Sequence, residues 1–358
     1  MQLPSRSHRD GFLFLNTEVI FSLYLDQNYW MADYKSLFIV IAGLVLFLFA
    51  LNKLSDHLKE LSGDKMKKVL DRFTSNLFTG ILTGLIVTIL LDSSSAVIIM
   101  AIALVNVHAM TFRQAMGVVM GANIGTTISS QIFALNIGEY AALPVAAGFL
   151  LMVMHKRKVY RDIGGIIFSF GLIFFGLFTM EEAVEPLRNS DYFVSWMHSL
   201  DTTWKGVSTG AFVTLVIQSS SATVGMVIGL ASKGLITFGA SVAVMLGAEL
   251  GTCADTLVAT IGRNRASIRT GVFHLIFNII TITLGVIFLS AFTKLVLWIS
   301  GNASIEQKIA NAHMLFNGLG VIIMIPFVHW LQLLMKKLVP DRSSPAKQHK
   351  RSIEMAEV

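Results

Sequence analysis

Apolar residues fall along this chain in continuous blocks, not in alternation. Blocks of roughly 20 residues, long enough as helices to cross a bilayer, recur from Ser36 almost to the C-terminus. The continuity argues against a β-barrel, whose strands alternate lipid-facing and lumen-facing positions. The pattern predicts spans near 36–52, 114–135, 141–154, 163–180, 238–261, 271–292 and 311–334. Two further blocks, 76–105 and 204–231, are broken in the middle by Asp92-Ser93-Ser94-Ser95 and by Gln218-Ser219-Ser220-Ser221. Polar, non-helical backbone at membrane depth is tolerated only where it lines a cavity or is buried in protein. Each block therefore reads as a re-entrant helical hairpin with serines at its tip. Residues 1–35 are a poorly specified extension: the stretch 11–25 is short for a span and holds Thr17 and Glu18. Residues 339–358 read as a flexible cytoplasmic tail.

The serine runs are part of a longer repetition. A shift of 126 residues lays Asp92-Ser93-Ser94-Ser95-Ala96 on Gln218-Ser219-Ser220-Ser221-Ala222. It also lays Gly121-Ala122-Asn123-Ile124-Gly125-Thr126-Thr127 on Gly247-Ala248-Glu249-Leu250-Gly251-Thr252-Cys253. From Phe47 to Thr127 no gap is needed and roughly a quarter of positions are identical, so the chain is a duplication. The first copy is placed at 36–160 and the second at 161–338.

A hairpin adds no crossing, so the first copy crosses three times, at 36–52, 114–135 and 141–154. An odd number inverts the second copy. Charge agrees, since the connector before the first hairpin is basic (Lys53, Lys59, Lys65, Lys67, Lys68, Arg72) and its counterpart is acidic (Glu181, Glu182, Glu185, Asp191). Basic loops at 53–72, 155–161 and 262–269 and the tail fall on one side, which the positive-inside rule makes cytoplasmic. The two hairpins then enter from opposite faces and meet near the midplane.

Composition fits this picture. Of 358 residues, 54% are hydrophobic and 14% charged, with a mean hydropathy of +0.67, which excludes a soluble domain. The expected class is an all-α polytopic membrane protein of two inverted repeats, in the cell's inner (plasma) membrane with its C-terminus cytoplasmic. The net charge of +6 is spread over loops between spans, so no nucleic-acid partner is expected. The single cysteine, Cys253, rules out an intramolecular disulfide and reads as a small packing residue.

At each tip, hydroxyls stand beside the free N–H groups of a half-helix N-terminus, a setting that favours an oxyanion. No Lys or Arg lies within either hairpin, so an anion there lacks a fixed counter-charge and co-bound cations become attractive. The paired glycines at 121/125 and 247/251 are expected to loosen their helices and free carbonyls as cation ligands, beside Asn123, Thr126, Thr127, Glu249 and Thr252. The same glycines also suit plain close packing. Asp92, Glu249 and Asp255 are acidic at membrane depth, where ionisable groups are usually functional. His274/Asn278 and His313/Asn317, at i, i+4, read as structural hydrogen-bond pairs. A membrane hydrolase finds no Gly-x-Ser-x-Gly elbow and no nucleophile–base pattern here, so no catalytic residue is expected. A non-transporting sensor is the other competing class.

With two Gln-Ser-Ser-Ser-type hairpins and two Gly-Ala-Asn-x-Gly-Thr-Thr-type segments, the chain resembles the type II sodium–phosphate cotransporters and their bacterial relatives, over about 37–335. The resemblance implies sodium-coupled symport of inorganic phosphate in the bilayer, with no cofactor beyond the co-transported sodium ions. It implies that Ser93, Ser94, Ser95, Ser219, Ser220 and Ser221 meet phosphate, or sodium beside it. Gln218, Asn123, Thr126, Thr127 and Thr252 would belong to the sodium and substrate shell, and the carboxylates of Asp92 and Glu249, read from their own chemistry, would strengthen the sodium site. Asp92, Glu249 and Cys253 depart from the family pattern of Gln, Asn and a hydroxyl residue, which keeps another oxyanion or a small carboxylate open as substrate. Homo-oligomerisation is also left open.

Overall fold

The computed structural model describes residues 10–135, 137–184 and 191–341; the expected tail beyond Asp341 lies outside them. The described residues are helical throughout, without a strand. Helix α1 (Asp10–Phe73) runs through both the first predicted span and its basic connector. Then come α2 (Leu77–Leu91), α3 (Ser94–Asn106), α4 (Phe112–Phe133), α5 (Ala142–Met154), α6 (Lys158–Val184) and α7 (Asp191–Ser199). The second copy continues with α8 (Thr203–Ile217), α9 (Ser220–Ser232), α10 (Phe238–Gly251), α11 (Cys253–Val258) and α12 (Arg265–Ile287). Helices α13 (Leu289–Ser300), α14 (Ile305–Met324) and α15 (Val328–Leu338) close the chain. Among the described residues, five helical stretches are long and apolar enough to cross a membrane: 35–61, 158–184, 238–258, 265–287 and 305–338. They become six if α4 and the bent segment 138–154 make one span.

Helix starts follow local chemistry. Asn76 accepts from the backbone N–H of Phe78 and Thr79, while the Thr79 hydroxyl accepts from the Asn76 N–H, a reciprocal cap. Thr111 and Gln114 do the same for α4.

The duplication is visible in packing as well as in sequence. In the first copy α2 lies parallel to α4: a Cβ on Gly84 would strike Val118, one on Gly121 would strike the Ile81 carbonyl, and one on Gly125 would strike Thr88. In the second copy α8 lies parallel to α10 with the same three contacts, Gly210 on Val244, Gly247 on Val207 and Gly251 on Thr214. Every member is displaced by 126 residues. Only glycine permits this backbone approach.

Hydrogen bonds sort the loops onto two ends of the bundle. At one end Gln114 donates to the Thr74 carbonyl, Asn264 bonds Asn106, and Arg269 reaches the Val339 carbonyl (2.9 Å) and Asp341 (2.7 Å). At the other, Lys233 pairs with Glu182 (2.7 Å), Thr237 donates to Asp201, and Gln307 donates to Gln131. Helix α4 joins the two: its 22 residues rise about 33 Å from the Gln114 end to the Gln131 end. The α2–α3 pair starts and finishes at the first, basic end. The α8–α9 pair starts and finishes at the second.

Candidate functional site

Both serine runs break their helices in the same way. Asp92 closes α2 in the left-handed region (φ 49°, ψ 37°), and Gln218 closes α8 there (φ 60°, ψ 29°). A non-glycine residue in that region costs roughly 1–2 kcal/mol, and Gln lacks the local hydrogen bond that eases Asp. The next residue is extended and caps the following half-helix: Ser93 Oγ accepts from the Ala96 N–H, and Ser219 Oγ from the Ala222 N–H, both at 3.2 Å. The second and third serines thereby become the first residues of α3 and α9.

The two breaks face one cavity of about 270 Å³. Its walls are Asp92, Ser93, Ser94 and Ser95 from the first copy, and Ile217, Gln218, Ser219, Ser220 and Ser221 from the second. Thr126 and Thr252 add a pseudo-symmetric pair, and Leu48, Leu51, Asn52, Ser55 and Lys59 of α1 form the remaining wall. Ser55 Oγ donates to the Leu91 carbonyl at 3.1 Å, fixing α1 against the first tip.

Ten of the thirteen expected site residues therefore line one cavity; Asn123, Thr127 and Glu249 do not. Helix α4 is unbroken through Gly121–Thr127, contrary to the expected loosening, because the glycines there seat α2 and leave the α4 ladder intact. Asn123 donates to the Asn278 amide oxygen (2.8 Å), and the Thr127 hydroxyl to the Ile124 carbonyl (2.7 Å). Only in the second copy does the helix break, at Thr252. The Glu249 carboxylate turns away to His313 Nε2 at 2.7 Å. His313 Nδ1 lies 2.6 Å from Ser130 Oγ, so one ring joins the two copies. Asn278 does likewise, bonding Asn123 and, at 3.0 Å, the Glu249 carbonyl.

Three features escape a reading of the sequence. Lys59 reaches the cavity, so the expectation of a site without a nearby basic residue is corrected; the residue comes from α1, outside both serine hairpins. Ser129 Oγ donates to the Asp92 carboxylate. The 126-residue shift places Asp255 on Ser129, and Asp255 lies beside Ser95 of the other copy. The carboxylate that stands on the tip in the first copy stands on the following helix in the second. The signal for that exchange was available in the repeat alignment.

A helical bundle with a polar cavity held between two repeated halves defines the chain as a multi-pass membrane transporter. It belongs to the Na+/Pi-cotransporter family, whose profile matches residues 46–182 and 188–324. The chain is 26% identical over 302 residues to the uncharacterized protein YqeW of Bacillus subtilis, covering 84% of this chain and 97% of that one. It is 21% identical over 305 residues to the putative inorganic phosphate export protein YjbB of Escherichia coli, and spans only 55% of that protein's length. Over 106 residues, 29% of this chain and 15% of the relative, it is 32% identical to human sodium-dependent phosphate transport protein 2B. No solved structure matches significantly. The relatives with named activities are transporters, not enzymes.

Proposed function

We propose that the protein moves inorganic phosphate across the inner membrane coupled to sodium, by alternating access to the cavity between the serine tips. One observation carries the reading: two Ser-Ser-Ser runs, 126 residues apart, line the same cavity. Backbone N–H groups and hydroxyls at the starts of α3 and α9 supply neutral donors for the oxyanion. The hard oxygen ligands that sodium takes are to hand in Asp92, Gln218, Thr126 and Thr252. In this reading α2–α3 and α8–α9 are re-entrant hairpins entering from opposite faces. The two-ended sorting of their contacts supports that inversion, and the basic end, with the C-terminal residues, is cytoplasmic. Asn123 and Glu249 act behind the cavity wall, joining α4 to α12 and α10 to α12 and α14, while the Thr127 hydroxyl bonds within α4.

Radiolabelled phosphate flux in proteoliposomes, with and without sodium, tests the proposal. Flux that needs sodium and falls at least tenfold in S220A supports it. Flux indifferent to sodium, or intact in S220A, sinks it. A cargo that competes better than phosphate would transfer the reading to another oxyanion.

A further inference from the structure

We infer that Lys59 is the fixed positive charge of the cavity and the residue that selects a dianionic oxyanion. The inference rests on the phosphate reading above. On α1, Asn52, Ser55 and Lys59 follow one another at helical spacing and all three line the cavity. Ser55 is held to the first serine tip through the Leu91 carbonyl. Lys59 stands one turn beyond it, about 6 Å further toward the basic end.

Two nearby lysines are paired, Lys53 with Asp56 (3.5 Å) and Lys158 with Glu60 (3.3 Å). Among the described residues no carboxylate pairs with Lys59. The other ionisable group on the cavity wall, Asp92, is engaged by Ser129. Every remaining polar wall residue is a neutral hydroxyl or amide, so without Lys59 the cavity offers a dianion no formal positive charge. An ammonium adds a charge-assisted bond where the serines give only neutral ones, and it is a compact point charge suited to phosphate. The charge is confined to one half, because the 126-residue shift puts Glu185 in the place of Lys59. A lysine serving only to orient the chain in the membrane would sit with the other loop cations and leave substrate affinity untouched.

Two measurements on the full chain decide the matter: phosphate uptake into proteoliposomes at fixed sodium, and thermal stabilisation of detergent-purified protein by phosphate and by sulfate. K59Q is expected to raise the phosphate KM about tenfold with near-normal flux at saturation, and K59R to return it to within about threefold. The preference for the dianion should flatten in K59Q, so that its KM no longer falls as pH rises from 6 to 8. Phosphate and sulfate should stabilise K59Q only at about tenfold higher concentration than the parent. Equal KM and equal stabilisation in the parent and K59Q overturn the inference. A parent that moves no phosphate yet is stabilised by it defeats the transport reading, while the stabilisation comparison still decides Lys59. A parent neither moving nor stabilised by phosphate or sulfate overturns both.

Discussion

His313 holds the carboxylate of Glu249 at 2.7 Å and, through its other ring nitrogen, Ser130 at 2.6 Å. His313, Glu249 and Ser130 are all buried. The ring belongs to α14, the carboxylate to the second copy and the hydroxyl to the first, so a single side chain ties three parts of the bundle. Removing one partner of such a hydrogen-bonded pair leaves the other's polar atoms unpaired in the interior, at a cost of roughly 1–3 kcal/mol. H313L should therefore lower the melting temperature in detergent sharply. E249Q/H313L should recover part of the loss, because the stranded carboxylate is gone. A double variant no more stable than H313L alone would show that the pair carries no coupling.

The glycine contacts make a sharper prediction about packing. A methyl on Gly121 or Gly247 meets a backbone carbonyl, of Ile81 or Val207, which cannot rotate away. G121A and G247A should each destabilise by at least the roughly 1–3 kcal/mol of an overpacked core. G318A, on the same kind of helix but with nothing within 4 Å of the new methyl, should be neutral or gain up to about 1 kcal/mol from helix propensity. Thermal melts of the three variants in one detergent check this, and equal behaviour would contradict the parallel α2–α4 and α8–α10 packing.

What the sequence discloses and what it hides have physical causes. Long apolar blocks and a gapless repeat are one-dimensional signals, so the helices, the membrane class and the serine breaks are legible from Ser36 onward. The serine word specifies its own geometry, an extended cap after a left-handed residue, and that too can be read locally. Which side chains share the cavity is set by how α1 and α14 dock, and no local pattern encodes docking. Lys59 looks like any loop cation, and Glu249 looks like a cavity ligand until His313, 64 residues away, claims its carboxylate. The glycines are legible as special; both pairs seat a neighbouring helix, α2 or α8, and only α10 opens beside them, at Thr252, while α4 stays whole.

Asp92 and Asp255 occupy exchanged places in the two copies, one on a tip beside Ser129 and one on α11 beside Ser95. If cations are drawn to these carboxylates, D92N should raise the sodium concentration for half-maximal phosphate flux several-fold. Asn tolerates the left-handed backbone at position 92, so the melting temperature should hold. D255N should act in the same direction. Sodium titration of flux in proteoliposomes reads both, and an unchanged sodium dependence in D92N would remove it from the cation shell.

The last prediction turns on a hydroxyl that one copy satisfies and the other does not. Thr214 Oγ1 lies 2.7 Å from Thr223 Oγ1, bridging α8 and α9. Its first-copy equivalent, Thr88, is buried with no hydrogen-bond partner among the described residues, because the residue matching Thr223 is Val97. An unpaired buried hydroxyl costs roughly 1–3 kcal/mol, whereas a paired one contributes about 1 kcal/mol. T88V, which replaces the hydroxyl by a methyl of similar size, should leave stability unchanged or raise it by about 1 kcal/mol. T214V removes one half of a made bond and should lower stability by about 1 kcal/mol. Melting both variants against the parent therefore gives opposite signs at two positions that the duplication makes equivalent. A loss of stability in T88V equal to that in T214V would mean that Thr88 has a partner in the folded protein.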